Sequence, residues 1–201
     1  MPYDPFKHHR RSIRLKGYDY SQAGAYFVTI CAQNRECLFG EIVNGEMQLN
    51  DAGKMIVRWW NELSNKFMTF EPDAFVVMPN HIHCIIVIVD VGMTLRGHPD
   101  DGQPHRAAPT LGDIIEWFKT MATNEYIRGV KQLGWKPFDK RVFQRNYYEH
   151  IVRNERELNA IREYIENNPA NWAADMDNLK NVRQLQSPKI VGDYLRDVGI
   201  L

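Results

Sequence analysis

Two histidines one residue apart stand inside an otherwise apolar stretch, AFVVMPNHIHCIIVIV. Side chains of an extended strand alternate faces, so His81 and His83 point the same way while Ile82 and Cys84 point the other. Burying two imidazoles costs free energy unless each finds a partner, and a divalent metal would satisfy both at once. The alternative is a pair of core histidines hydrogen-bonded to neighbouring backbone. A second polar pair lies far along the chain in RNERELNAIREYIENNP, where Tyr164 and Asn168 are four residues apart and share one flank of a helix. Taken singly, that tyrosine reads as amphipathic packing and that asparagine as a helix C-cap.

These residues need elements to hold them. AYFVTICAQN reads as a strand, and CLFGEIV, Asn44-Gly45 and EMQLN read as further strand and a hairpin. From Asn50 the period changes: Met55, Ile56, Trp59, Trp60 and Leu63 recur at helical spacing behind Asn50 or Asp51 as N-cap. AFVVMP and HIHCIIVIV are apolar on both faces, as central strands are, with Pro79-Asn80 turning between them. Residues 91–109 are rich in Gly, Pro and charge and read as an exposed connector, in which His98 and His105 are surface residues outside the site. Thr110 caps a second helix with its stripe at Leu111, Ile114, Ile115, Phe118, Met121 and Ala122. RVFQRNYYEHIV reads as a last strand. The final helix is capped by Asn154 with Glu157 three residues on, stops at Asn168-Pro169, and buries Leu158, Ile161 and Ile165. The chain divides into a domain at 1–178 and a polar tail at 179–201, either docked or mobile.

At 201 residues and 44% hydrophobic content the chain can bury one sizeable core. No apolar run approaches a membrane span and the N-terminus lacks the apolar centre of a signal peptide, so the expected compartment is the cytoplasm. Cys31, Cys37 and Cys84 show no paired spacing and read as packing residues. With 25 basic and 25 acidic residues the net charge is zero, so any nucleic-acid contact must be local. Two basic segments suit phosphate contact: Arg10, Arg11, Arg14 and Lys16, and then Lys136, Lys140, Arg141 and Arg145, whose interleaved Trp135, Phe138 and Phe143 suit base stacking. Basic runs of this size are also common on ordinary solvated surfaces. No phosphate-cradling G-x-x-x-x-G-K-[ST] is present.

In their order along the chain these pieces resemble the single-tyrosine HUH transposases, in which a central strand carries His-hydrophobic-His and a later helix carries the nucleophilic tyrosine. MPNHIHCIIV, QRNYYEHIVRNERELNAIREYIENNP and RRSIRLKGYDYSQAGAYFVTI are similar in particular to the REP-associated tyrosine transposases. The resemblance implies an α+β fold, a ferredoxin-like antiparallel sheet with helices packed on it, the HUH endonuclease fold. It implies cleavage and joining of single-stranded DNA at palindromic hairpins such as repetitive extragenic elements. It assigns His81 and His83 as metal ligands, Tyr164 as the nucleophile and Asn168 as the third ligand. Some relatives have Gln at that last position, and the shorter Asn168 needs closer helix-to-strand packing to reach the same ion.

Nitrogen and oxygen ligands with open positions suit Mg²⁺ or Mn²⁺, acting as a Lewis acid on a phosphodiester oxygen. Attack by Tyr164 would leave a 5′-phosphotyrosine and a free 3′-hydroxyl, so rejoining needs no ATP. Tyr147 and Tyr148 compete as nucleophiles but stand before the final helix and are assigned to packing or DNA contact, and His150 to structure or substrate contact. The expected partners are single-stranded DNA or DNA hairpins and no membrane, with a homodimer left open. A two-histidine phosphoesterase would need a second histidine motif, and a histidine-triad hydrolase a third histidine where Ile85 stands. The different-class alternative is a domesticated, non-cleaving hairpin-binding protein or repressor of the same fold.

Overall fold

The computed structural model describes residues 17–90 and 109–182. The first basic segment, Arg10, Arg11, Arg14 and Lys16, lies outside the described residues, as do His98, His105, nearly all of the expected connector, and the tail from residue 183 onward.

A near-continuous apolar run gives β1, Gly24–Cys31, which is buried on both faces, pairs antiparallel on both sides and is therefore central. After a short 3-10 turn, Gln33–Arg35, the hairpin β2 (Gly40–Val43) and β3 (Glu46–Leu49) forms a separate two-stranded sheet. Asn44 and Gly45 both take positive φ at its tip, as that two-residue turn requires. The helix α1, Asp51–Lys66, begins where the Asn50 side chain accepts the Gly53 N–H. The strands β4 (Phe70–Val77) and β5 (His81–Ile88) follow, then α2 (Leu111–Gln132) behind a reciprocal Thr110–Asp113 capping box. Last come β6 (Tyr148–Val152), α3 (Glu155–Asn167) with Asn154 as N-cap, a 3-10 turn at Trp172–Ala174, and the short α4 (Leu179–Val182).

The main sheet runs β4-β5-β1-β6, antiparallel throughout. The passages from β1 through α1 to β4 and from β5 through α2 to β6 each skip a strand, the split β-α-β arrangement of a ferredoxin-like fold. The α+β class and antiparallel sheet expected from the motifs are what the molecule has.

The two faces of this sheet differ in kind. Tyr26, Val28, Ile30, Ile82, Cys84, Ile86 and Ile88 point into the large core under α1 and α2, where Trp60 stacks on Phe75 at 4.5 Å between centroids. The opposite face carries Phe27 and Ile85 against Ile161 and Ile165 of α3, a much smaller cluster. Arg162 on α3 grips Asp73 on β4 with two hydrogen bonds, 2.9 and 2.6 Å, and holds that carboxyl below its ordinary range.

The second basic segment, Lys136 to Arg145, departs from the expectation that its aromatic rings stand free to stack on bases. Phe143 is buried, and Trp135 and Phe138 pack edge-on against the fully buried Tyr126, 5.4 and 5.7 Å between centroids. Large aromatic area is worth more inside a core than in solvent, so these rings turn inward and leave the charges outside. The last strand is also shorter than RVFQRNYYEHIV suggests, because residues 142–144 instead bond back to the end of β1 through Gln33 and Cys31.

Gly53 shows how tightly α1 is seated: a Cβ there would stand 2.2 Å from the Phe39 carbonyl oxygen. Gly53→Ala should therefore destabilise the protein by about 1–3 kcal/mol despite alanine's better helix propensity, as read by urea denaturation. A neutral or stabilising result would mean that the β2–β3 hairpin yields easily under α1.

Candidate metal centre and active site

Period-two alternation in β5 puts His81 and His83 on the α3 side of the sheet, and both are fully buried. Their Nε2 atoms lie 3.0 Å apart, so the two rings converge on one point. Behind each ring stands a polar anchor: Thr29 Oγ1 is 2.8 Å from His83 Nδ1, its cross-strand neighbour on β1, and Asn80 Oδ1 is 2.8 Å from His81 Nδ1.

The helix α3 supplies the next residue. Tyr164 flanks the Ile161/Ile165 stripe and brings its hydroxyl to 3.2 Å from His83 Nε2, its ring edge-on to Phe27. Asn168, the C-cap of the same helix, is 3% exposed, and its Oδ1 is buried with no hydrogen-bond partner. A bare buried amide oxygen costs free energy unless something fills the space in front of it. Its amide lies near enough to Asp175 to favour the ionised carboxylate, which sets it next to that member of the cluster.

Asp175 carries no signal in the sequence. It lies beyond Pro169 in the polar stretch NWAADMDN, which has no period and no motif. The chain turns back after α3, through hydrogen bonds such as Asn171 N–H to the Asn167 carbonyl, and carries the carboxylate to 3.9 Å from His81 Nε2. His81, His83 and Asp175 each offer a ligand atom, all within 4.8 Å of one another. Burial pushes the Asp175 carboxyl up, with His81 opposing the shift. Two imidazole nitrogens, one carboxylate and an orphaned amide oxygen make a donor set that fits a divalent metal.

The same turn-back holds the site together from outside. Arg35 Nη2 meets Asp177 Oδ1 at 2.8 Å, and Asn80 Nδ2 donates to the carbonyls of Arg35 and Asp177 at 3.0 and 2.8 Å. Asn34 and Arg35 take positive φ to make this corner. The Trp172 ring lies 6.0 Å from His81 between centroids.

Other candidates fall around this centre. Tyr148, opposite Thr29 on β6, packs on Phe27 at 6.2 Å, and His150 Nε2 bonds the Glu157 carboxylate at the start of α3, a structural position. Tyr147 and Arg145 line a hollow of about 550 Å³ on the other side, along α2 with Lys119 and Asn124. Lys119 is pushed down to about 8 by burial and donates to the carbonyls of Gln144 and Arg145. Lys136, Lys140, Arg141 and Arg145 are all exposed. Lys136 pairs with Glu36 at 3.5 Å, and the segment from Val142 to Gln144 lies along the end of β1 that faces His81. Among the described residues no helix is long and apolar enough to cross a membrane.

Burial, with His81 second, holds His83 well below the ordinary imidazole range. With a depressed folded-state pKa, the unfolded chain takes up the proton first as pH falls, so the His83 contribution is complete above about pH 6.5 and declines below it. Asp175, shifted upward, acts with the opposite sign, so the effect is read as a difference between proteins. Urea denaturation with chelator should show His83→Asn less stable than the parent at about pH 8, with the gap narrowing below about pH 6.5. A constant gap across that range would show that His83 is not held neutral.

No family model matches the chain. An uncharacterized protein of Haemophilus influenzae is 43% identical over 173 residues, covering 84% of this chain and 92% of that protein. A second protein of that organism, named "Putative REP-associated tyrosine transposase", is 24% identical over 155 residues, 75% of this chain and 73% of its own. Among solved structures, a REP-associated tyrosine transposase bound to a REP hairpin superposes with a TM-score of 0.52 at 19% identity, over 92% of this chain and 87% of that one. The chain belongs to one family with the 43% identical Haemophilus influenzae protein, and its likeness to the REP-associated tyrosine transposases, legible first in its motifs, extends to the fold.

Proposed function

We propose that this protein is a metal-dependent single-stranded DNA endonuclease and strand transferase, a transposase acting on palindromic hairpin repeats. The observation that carries the reading is the Tyr164 hydroxyl, 3.2 Å from His83 Nε2, beside two converging imidazoles and the Asp175 carboxylate. His81, His83, Asn168 and Asp175 would hold Mg²⁺ or Mn²⁺, which when bound supplies Lewis acidity to a non-bridging phosphate oxygen. The relative solved with a REP hairpin supports hairpin DNA as the substrate class.

In this reading Tyr164 Oη forms a bond to phosphorus as the bond from phosphorus to the 3′-oxygen breaks. The phenolic proton leaves and the departing 3′-oxygen gains one, giving a 5′-phosphotyrosine and a free 3′-hydroxyl. Phe27 holds the Tyr164 ring edge-on, which limits its orientations before attack. Lys136, Lys140, Arg141 and Arg145 are the proposed phosphate contacts, and the basic residues Arg10, Arg11, Arg14 and Lys16 extend that set.

Tyr164→Phe keeps the ring and its packing. With a cognate hairpin and Mg²⁺ or Mn²⁺ it should retain hairpin affinity yet lose cleavage by several orders of magnitude, together with the denaturation-resistant protein–DNA adduct. Tyr147→Phe and Tyr148→Phe should keep both. An adduct that survives in Tyr164→Phe overturns the assignment, and parent protein that binds its repeats without cutting them indicates a domesticated binding protein. Lys140→Glu combined with Arg141→Glu should weaken hairpin binding about tenfold. The slope of log affinity against log salt should also flatten, by about 0.7 for each single-strand phosphate no longer neutralised. An unchanged slope would remove those residues from the interface.

A further inference from the structure

Asn80 is fully buried and makes three hydrogen bonds that together leave its amide one orientation. Two backbone carbonyls, of Arg35 and Asp177, stand 3.0 and 2.8 Å from Nδ2, and carbonyls only accept. The NH₂ group must therefore face them, which turns Oδ1 toward His81 Nδ1 at 2.8 Å. An amide oxygen also only accepts, so His81 must carry its proton on Nδ1. Its Nε2 is then a lone pair aimed into the cluster. The Asp175 carboxylate, at 3.9 Å from that Nε2, is too far to draw the proton across by a hydrogen bond.

The rest of the network follows from this one constraint. With His81 Nε2 accepting, the 3.0 Å contact requires His83 to donate from its own Nε2. His83 Nδ1 is then an acceptor, and Thr29 Oγ1 at 2.8 Å donates to it. Protons thus run in one direction, from Thr29 through His83 and His81 to Asn80 and on to the two carbonyls. The two partners differ in kind: a hydroxyl can donate or accept, so Thr29 tolerates either His83 tautomer, whereas the pinned Asn80 amide tolerates only one for His81.

We infer that Asn80 is a positioning residue that locks His81 in the Nδ1–H tautomer, with Arg35 and Asp177 serving as the backbone stops that hold the amide. Its consequence for metal affinity rests on the function proposed above, but the tautomer does not. Outer partners of this kind hold a ligating imidazole in its ring orientation and tautomer, and losing one commonly weakens metal binding about 10–100-fold.

The test is nitrogen-15 NMR of the histidine rings in the metal-free protein at about pH 8, above the usual imidazole pKa of about 6.5. Resonances are assigned by single substitution. The parent should show His81 as Nδ1–H and His83 as Nε2–H. Asn80→Ala should release His81 into a mixture of tautomers. Calorimetric titration with Mn²⁺ should show at least about tenfold weaker binding for Asn80→Ala. A purely structural asparagine would leave the His81 tautomer unchanged in a folded variant. His81 found as Nε2–H in the parent overturns the inference outright, and that measurement stands even where Asn80→Ala fails to fold. Unchanged tautomers in a folded Asn80→Ala overturn it as well. Parent protein that shows the assigned tautomers but binds no Mn²⁺ refutes the metal-dependent reading instead.

Discussion

Two imidazoles buried in a central strand are the constraint around which the rest of this molecule is arranged. Neither ring reaches water, so each nitrogen must find a partner within the protein or in a bound ion. Thr29, Asn80, Asp175 and Tyr164 come from four different parts of the chain and converge on them. Each of those residues needs its own support. Asn80 depends on the carbonyls of Arg35 and Asp177, Asp177 on the Arg35 guanidinium, and Tyr164 on the packing of α3 through Ile161 and Ile165.

The division of labour between the sheet faces makes this compatible with a stable fold. The face under α1 and α2 is apolar and closely packed, with Trp60, Phe75 and Phe118 among large aliphatic residues. That core can anchor β1 and β5 without help from the polar face. The α3 face then needs only a small apolar cluster and the Arg162–Asp73 grip to seat the helix. Because α3 is held to β4 by a short paired contact, the distance from Tyr164 to His83 is set close to the point of chemistry.

The segment beyond α3 has two roles that the rest of the chain does not duplicate. It delivers Asp175 to the histidine pair, and through the Asp177 carbonyl it fixes the amide that faces His81. Its own turns are closed by local bonds, among them Asn178 Nδ2 to the Trp172 carbonyl and Asn181 Nδ2 to the carbonyls of Ala173 and Asp175. Loops placed by a rigid scaffold often carry function in this manner.

Where side-chain period and local capping decide the outcome, the sequence alone was sufficient. The alternation that puts His81 and His83 on one face, the caps at Asn50, Thr110 and Asn154, and the flank shared by Tyr164 and Asn168 are all local properties, and the structure carries each of them. The α+β class and the family likeness followed from the same motifs. Three things depended on tertiary structure. The inward turn of Trp135, Phe138 and Phe143 was decided by the cavity that Tyr126 and the core offer, which no local pattern encodes. The recruitment of Asp175 needed the chain to reverse after Pro169, bringing an ordinary aspartate beside a histidine 94 positions away in a stretch with no period to mark it. The role of Asn80, which reads locally as a turn residue, came from two carbonyls supplied by distant segments, since hydrogen-bond direction is set by what surrounds an amide and not by the amide itself.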